Sequence, residues 1–191
     1  ATAASGTGIW TPVGRIVTVY RPIDSVDRTP RLASELLADL SALDLGRVHA
    51  DLEQIRRFNP QRDEMEHLSA IVHFSLEENL AVGRKDVRGD EFWVRGHIPG
   101  RPVLPGVIMI EASAQLSTYF FKHRFPETAD RFIVFRGVDD FRFRSQVAPG
   151  ETLYIIARGD NLKVRMGKFH VQGVKGDGEI VFDGRILGAP T

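Results

Sequence analysis

"RGHIPGRPVLPGVIMIEASAQLSTYFFKHR", residues 95–124, joins a loop rich in proline and glycine to an apolar run that contains no helix breaker. In the loop, 96–106, six of eleven residues are Gly or Pro, so fixed φ angles at the prolines combine with close backbone approach at the glycines. Pro105 and Gly106 then open a helix. Val107, Ile108, Met109, Ile110, Ala112, Ala114, Leu116, Phe120 and Phe121 make that segment apolar nearly all round. Such a helix is surrounded by protein rather than laid on a surface. The pattern predicts a central helix over 105–124.

The flanks read as strands. Upstream are "SAIVHF" (69–74), "NLAVGRKDV" (79–87) and "EFWV" (91–94). Downstream are "RFIVFRGVDDFRFR" (131–144), "ETLYIIAR" (151–158), "LKVRMGKFHVQGV" (162–174) and "EIVFDGRIL" (179–187). Turns are expected at Pro149-Gly150, Gly159-Asp160-Asn161 and Gly176-Asp177-Gly178. In 162–174 the apolar phase moves from Val164 and Met166 to Phe169 and Val171, which makes Gly167 a candidate bulge. In "FRFR" (141–144) alternation points Phe141 and Phe143 inward and Arg142 and Arg144 outward. Three short strands, one buried helix and four further antiparallel strands describe an α+β domain, a sheet wrapped around a central helix: the hotdog fold.

The chain ahead of this pattern differs in character. "RIVTVY" (15–20) reads as a short strand, and Thr29-Pro30 as an N-cap with an N1 proline. Leu32, Leu36, Leu37, Leu40 and Leu43 follow at helical spacing, with Gly46 as a stop. A shorter helical pattern, with Val48, Leu52 and Ile55, ends near Asn59-Pro60. The organisation is thus an N-terminal helical extension, 1–47, before a hotdog domain, 48–191.

Composition narrows the function. With 191 residues, 42% hydrophobic and 26% charged, the chain can bury a full core. Lys+Arg and Asp+Glu are equal at 25 each, so nothing calls for a nucleic-acid partner. The absence of cysteine removes disulfides, thiolate nucleophiles and cysteine-ligated metals. No run is long enough for a membrane span, and "ATAASGTGIW" lacks the basic start and apolar core of a signal peptide. The expectation is a cytoplasmic protein. His67, His73, His123 and His170 have no metal-ligand spacing, so no metal is assigned.

Two titratable groups stand out. The stiff loop holds His97, whose ordinary pKa of about 6.5 lets it take a proton near neutrality. Glu111 lies further along the helix between Ile110 and Ala112, where loss of solvation favours the protonated acid. The helix start supplies free N–H groups for a carbonyl oxygen that gains negative charge; Pro105 has none, so Gly106 is the candidate donor, with no side chain to keep a substrate away. Gln115, one turn after Glu111, is a candidate substrate contact or a partner that satisfies Glu111. A base, an acid and an oxyanion site suit removal of a proton α to a carbonyl with departure of a hydroxyl. The competing readings are a structural histidine and a glutamate paired with one of the arginines.

"GHIPGRPVLPGVIMIEASAQ" (96–115) resembles the signature of the FabZ-type β-hydroxyacyl-(acyl carrier protein) dehydratases, including the spacing of histidine and glutamate and the choice of glutamate over the aspartate of the FabA type. "GVDDFRFRSQVAPGETL" (137–153) resembles a second stretch of that family, with Glu151 in place of an aspartate. The resemblance covers roughly 48–188. It implies reversible dehydration of a β-hydroxyacyl thioester, with His97 removing the α-proton, Glu111 assisting the departing hydroxyl and Gly106 binding the carbonyl. No organic cofactor is implied. It implies an acyl carrier protein partner, met by a basic rim including Arg95, Arg101 and Arg142, and a homodimer in which the histidine loop of one subunit faces the glutamate of the other. Ile98 departs from the family's Phe, and "PQRDEM" (60–65) with His73-Phe74 replaces its Pro-His-Arg-Tyr-Pro-Phe and Asp-Arg elements, which puts chain-length preference in question. A hotdog thioesterase and a non-catalytic acyl-binding subunit are the alternative readings.

Overall fold

The computed structural model describes residues 35–191, within one compact unit, Ser34–Thr191. The strand expected at 15–20 and the cap at Thr29-Pro30 lie outside the described residues. The elements are α1 (Leu52–Arg56), β1 (Ala70–Ser75), β2 (Leu80–Asp86), α2 (Gly106–Arg124), β3 (Ile133–Phe143), β4 (Thr152–Lys163), β5 (Met166–Lys175) and β6 (Ile180–Pro190). The strands form one sheet in the order β1-β2-β4-β5-β6-β3, with every neighbouring pair antiparallel.

α2 packs against this sheet, which accounts for most of its apolar residues, whereas Val107 at its start is exposed and Ile110 and Ala114 are half-buried. Ala112, Leu116 and Phe120 are fully buried in one cluster with Ile155, Ala157, Val171, Phe182 and Val181. Each large side chain removed from water here contributes about 1.5–3 kcal/mol. Phe120 meets Phe74 and Phe169 at ring-centroid distances of 5.2 and 5.8 Å. The fold is the expected hotdog.

The other face of β4 is also covered. A second cluster joins Val72, Leu80, Val82, Ile156 and Val174 to Leu40, with Leu37, Leu43 and Leu45 packed beside it. Adjacent Ile155 and Ile156 are both fully buried because they point to these opposite faces. The leucines do not achieve this as the expected helix: in the described part only Leu40–Ala42 forms a turn of 3-10 helix. Leu37 instead donates its N–H to Gln172 Oε1 at 2.8 Å and accepts from Arg158 at its carbonyl. α1 is short but well closed, with Asp51 and Gln54 forming a reciprocal capping box.

Three local expectations are corrected. "EFWV" (91–94) is a turn, not a strand, because Glu91 folds back to accept from Arg88 N, Lys85 Nζ and Trp93 Nε1. Gly159-Asp160-Asn161 is not a hairpin turn; β4 runs on through a register shift to Lys163, which pairs with Met166 and leaves Val164-Arg165 as the turn. Gly167 is in regular register with Leu162 and Gly188. It is glycine because a Cβ there would lie 2.8 Å from the Phe121 ring on α2. Phe141 stacks on Phe182, and Phe143 is the cross-strand partner of Phe182, so both rings point inward as expected, although Phe143 is about half exposed.

Candidate active site

The histidine loop is anchored at both ends before it reaches His97. At its start, Lys85 Nζ lies 2.9 Å from Glu91 Oε2 in an ion pair whose side chains are only 4% and 10% exposed. Burial alone would raise the Glu91 pKa; the Lys85 ammonium, the Arg88 N–H and the Trp93 indole outweigh it and hold the carboxyl below its usual range. Trp93 is thereby fixed in the core, and its carbonyl accepts from His97 N at 2.8 Å. At the far end, buried Leu104 donates its N–H to Val147 O at 2.8 Å. Gly100, at φ 79, turns the chain between them.

His97 itself is exposed, with Nδ1 2.9 Å from Val103 O. A carbonyl oxygen only accepts, so Nδ1 carries the proton and Nε2 is the basic nitrogen.

Glu111 is half-buried on α2, and its surroundings are more polar than its sequence neighbours suggest. Oε1 accepts from Gln115 Nε2 at 2.9 Å and from Gln61 Nε2 at 3.1 Å. Gln115 is itself buried; it also donates to Met65 O and accepts from His67 N, so both ends of its amide are engaged within the chain. Gln61 had no signal in the sequence beyond its place in the divergent "PQRDEM" segment.

The start of α2 has no side-chain cap. Ile108 and Met109 both donate to Pro105 O, and the N–H groups of Gly106 and Val107 project from the helix end. A Cβ on Gly106 would lie 2.6 Å from the tip of the Phe143 ring. The ring of Phe143 therefore occupies the room that glycine provides, beside the expected oxyanion donor.

Glu111 opens onto a groove of about 150 Å³ between α2 and the β3, β5 and β6 strands. Ala114, Ser117 and Phe121 continue its wall along α2, and Phe135, Phe169 and Ile186 face them from the sheet. Its floor contains Gly167 and Gly188, which are cross-strand partners. His97 does not line this groove. Among the described residues, no group of three or more His, Asp or Glu side chains is placed to hold a metal ion.

A FabA-like domain model matches residues 59–185, two thirds of the chain, a span that includes His97, Gly106, Glu111 and Gln115. The chain belongs to the FabA/FabZ-like family. Two 3-hydroxyacyl-[acyl-carrier-protein] dehydratases named FabZ are similar to it at the sequence level. That of Herpetosiphon aurantiacus is 40% identical over 113 residues, 59% of this chain and 79% of its own. That of Anoxybacillus flavithermus is 34% identical over 137 residues, 72% of this chain and 90% of its own.

Solved structures resemble this FabA/FabZ-like chain in fold. The dehydratase heterocomplex ApeI:P from Xenorhabdus doucetiae matches with a TM-score of 0.61 at 20% identity, over 72% of this chain and 90% of that one. A thioesterase from Haemophilus influenzae matches with a TM-score of 0.55 at 14% identity, over 73% of this chain and 90% of that one.

Proposed function

We propose that the protein is a hydro-lyase that dehydrates β-hydroxyacyl thioesters carried on acyl carrier protein to trans-2-enoyl thioesters, as in type II fatty-acid synthesis. The observation that carries this reading is that a FabA/FabZ-like chain presents both a His97 whose Nδ1 is bonded to the Val103 carbonyl and a Glu111 carboxyl on the wall of a groove. His97 Nε2 removes the α-proton. Glu111 gives a proton to the β-hydroxyl, which leaves as water while the C–O bond breaks and the C=C bond forms. The Gly106 N–H at the start of α2 stabilises the thioester oxygen. Gln115 acts from behind Glu111.

Because Glu111 lines the groove and the His97 of the same chain does not, the proposed site is shared between two subunits of a homodimer. Arg95, Arg101 and Arg142 are all exposed and form the rim proposed to meet the acidic carrier protein. The proposed location is cytoplasmic; no helix among the described residues is long and apolar enough to cross a membrane. The alternatives are separated by one assay. Incubation with hydroxyacyl and enoyl thioesters is expected to interconvert them, read as enoyl absorbance. Release of free thiol instead would make the protein a thioesterase, and binding without turnover would make it a scaffold.

A further inference from the structure

We infer that Gln61 is a positioning residue for Glu111, and that it fixes which carboxyl oxygen delivers the proton. The inference rests on the dehydratase reading and extends it to a residue and an atom.

The segment around Gln61 is held in place without it. Asn59 Nδ2 donates to Gln115 O at 2.9 Å, and Lys122 Nζ donates to Phe58 O at 2.8 Å, tying the segment to α2 on one side. Arg62 Nη1 donates to the carbonyls of Asn59 and Gln61, and its Nη2 to that of Arg56. On the other side, Gln115 holds Met65 and His67. The Gln61 side chain takes part in none of these bonds. Its Nε2 donates to Glu111, fifty positions away in sequence, and its buried Oε1 has no donor among the described residues. A flipped amide would set oxygen against the carboxylate, so Glu111 itself dictates the orientation.

Two amide donors therefore converge on one oxygen, Glu111 Oε1. An oxygen that accepts two N–H bonds is not the one that carries the acid's hydrogen. The transferable proton sits on Oε2. In the forward reaction it passes from Oε2 to the β-hydroxyl as the C–O bond breaks; the proton taken by His97 Nε2 balances it. Gln115 holds the carboxyl along the helix, and Gln61 holds it from the segment packed beside α2, so together they stop the rotation that would exchange the two oxygens. Groups held to productive geometry in this way contribute to kcat rather than to substrate binding.

The test is a double-mutant cycle between Gln61→Met and Glu111→Gln, assayed by hydration of an enoyl thioester. Gln61→Met keeps the length of the side chain and removes the donor. With Glu111 present it is expected to lower kcat about 10-fold while KM stays within about twofold. In the Glu111→Gln background, Gln61→Met is expected to have no further effect on the residual rate. Equal losses in both backgrounds, or an unchanged kcat, would overturn the inference; a KM-only effect would make Gln61 a binding residue and overturn it too. A wild-type protein without hydratase activity would overturn the dehydratase reading and this inference with it. An unchanged Tm in Gln61→Met is expected, and a parallel loss of stability and kcat would show a structural role instead.

Discussion

His97 Nδ1 lies 2.9 Å from the carbonyl oxygen of Val103, and this bond decides what the histidine can do. It fixes the tautomer of the neutral ring, leaving Nε2 as the proton acceptor. His97→Ala and Glu111→Gln are each expected to lower turnover by about 10²- to 10⁴-fold, with far-UV circular dichroism and Tm close to wild type because neither side chain is buried in the core. Steady-state hydration of an enoyl thioester checks this. Activity within a few-fold of wild type in either variant would contradict the acid/base assignment.

The loop that carries His97 depends on the buried Lys85–Glu91 pair. Removing one partner of such a pair leaves an uncompensated charge and typically costs about 3–5 kcal/mol. Lys85→Met is therefore expected to lower stability by that order in urea denaturation, and to alter the fluorescence of Trp93, whose Nε1 donates to the same carboxylate. A midpoint unchanged from wild type would show that the pair does not anchor the loop.

Residues 37–45 cover the outer face of the sheet, where Leu40 is 7% exposed. Leu40→Ala is expected to cost about 2–5 kcal/mol without reducing kcat of the folded protein, since that face lies opposite α2. Deleting 1–47 is expected to lower Tm and promote self-association through Val72, Val82 and Ile156. A truncated protein as stable and soluble as the full chain would contradict the role given to these leucines.

The groove and the histidine loop were legible in the sequence to different degrees. α2 and its Pro/Gly lead-in were clear because an apolar helix without a polar face has few positions in any fold, and because two titratable groups stood where packing called for none. The turn at 91–94 was not legible: Phe92, Trp93 and Val94 have the composition of a strand, and the ion pair that folds Glu91 back is made with a residue on β2. The leucines at 36–43 had helical spacing, yet Gln172 and Arg158 use the Leu37 backbone groups, so sheet contacts displace the helix. Gln61 was invisible for the same reason, as its side chain bonds to Glu111 on another element.

Acid is expected to weaken the fold in a specific window. Burial, followed by the nearby Lys85 ammonium, holds the pKa of His67 below 6.5, although Glu111 and Glu91 oppose this. Burial, with His123, Arg47 and His73 adding to it, does the same to His49. In the unfolded chain both imidazoles protonate near 6.5, so below that pH the unfolded state binds more protons and stability falls as pH falls. Tm is expected to drop from about pH 7 towards pH 5, and the double variant His49→Gln/His67→Gln to flatten that slope. An identical slope in the variant would assign the acid sensitivity to other groups.

The most direct test of the account is complementation between two inactive chains. His97→Ala and Glu111→Gln proteins are mixed under conditions that exchange subunits, and enoyl-thioester hydration is measured. If each site takes His97 from one subunit and Glu111 from the other, a mixed dimer has one doubly damaged site and one intact site. With random exchange half the dimers are mixed, so about a quarter of wild-type activity is expected to return. No recovery after exchange has been verified by mass spectrometry would contradict the shared His97–Glu111 site.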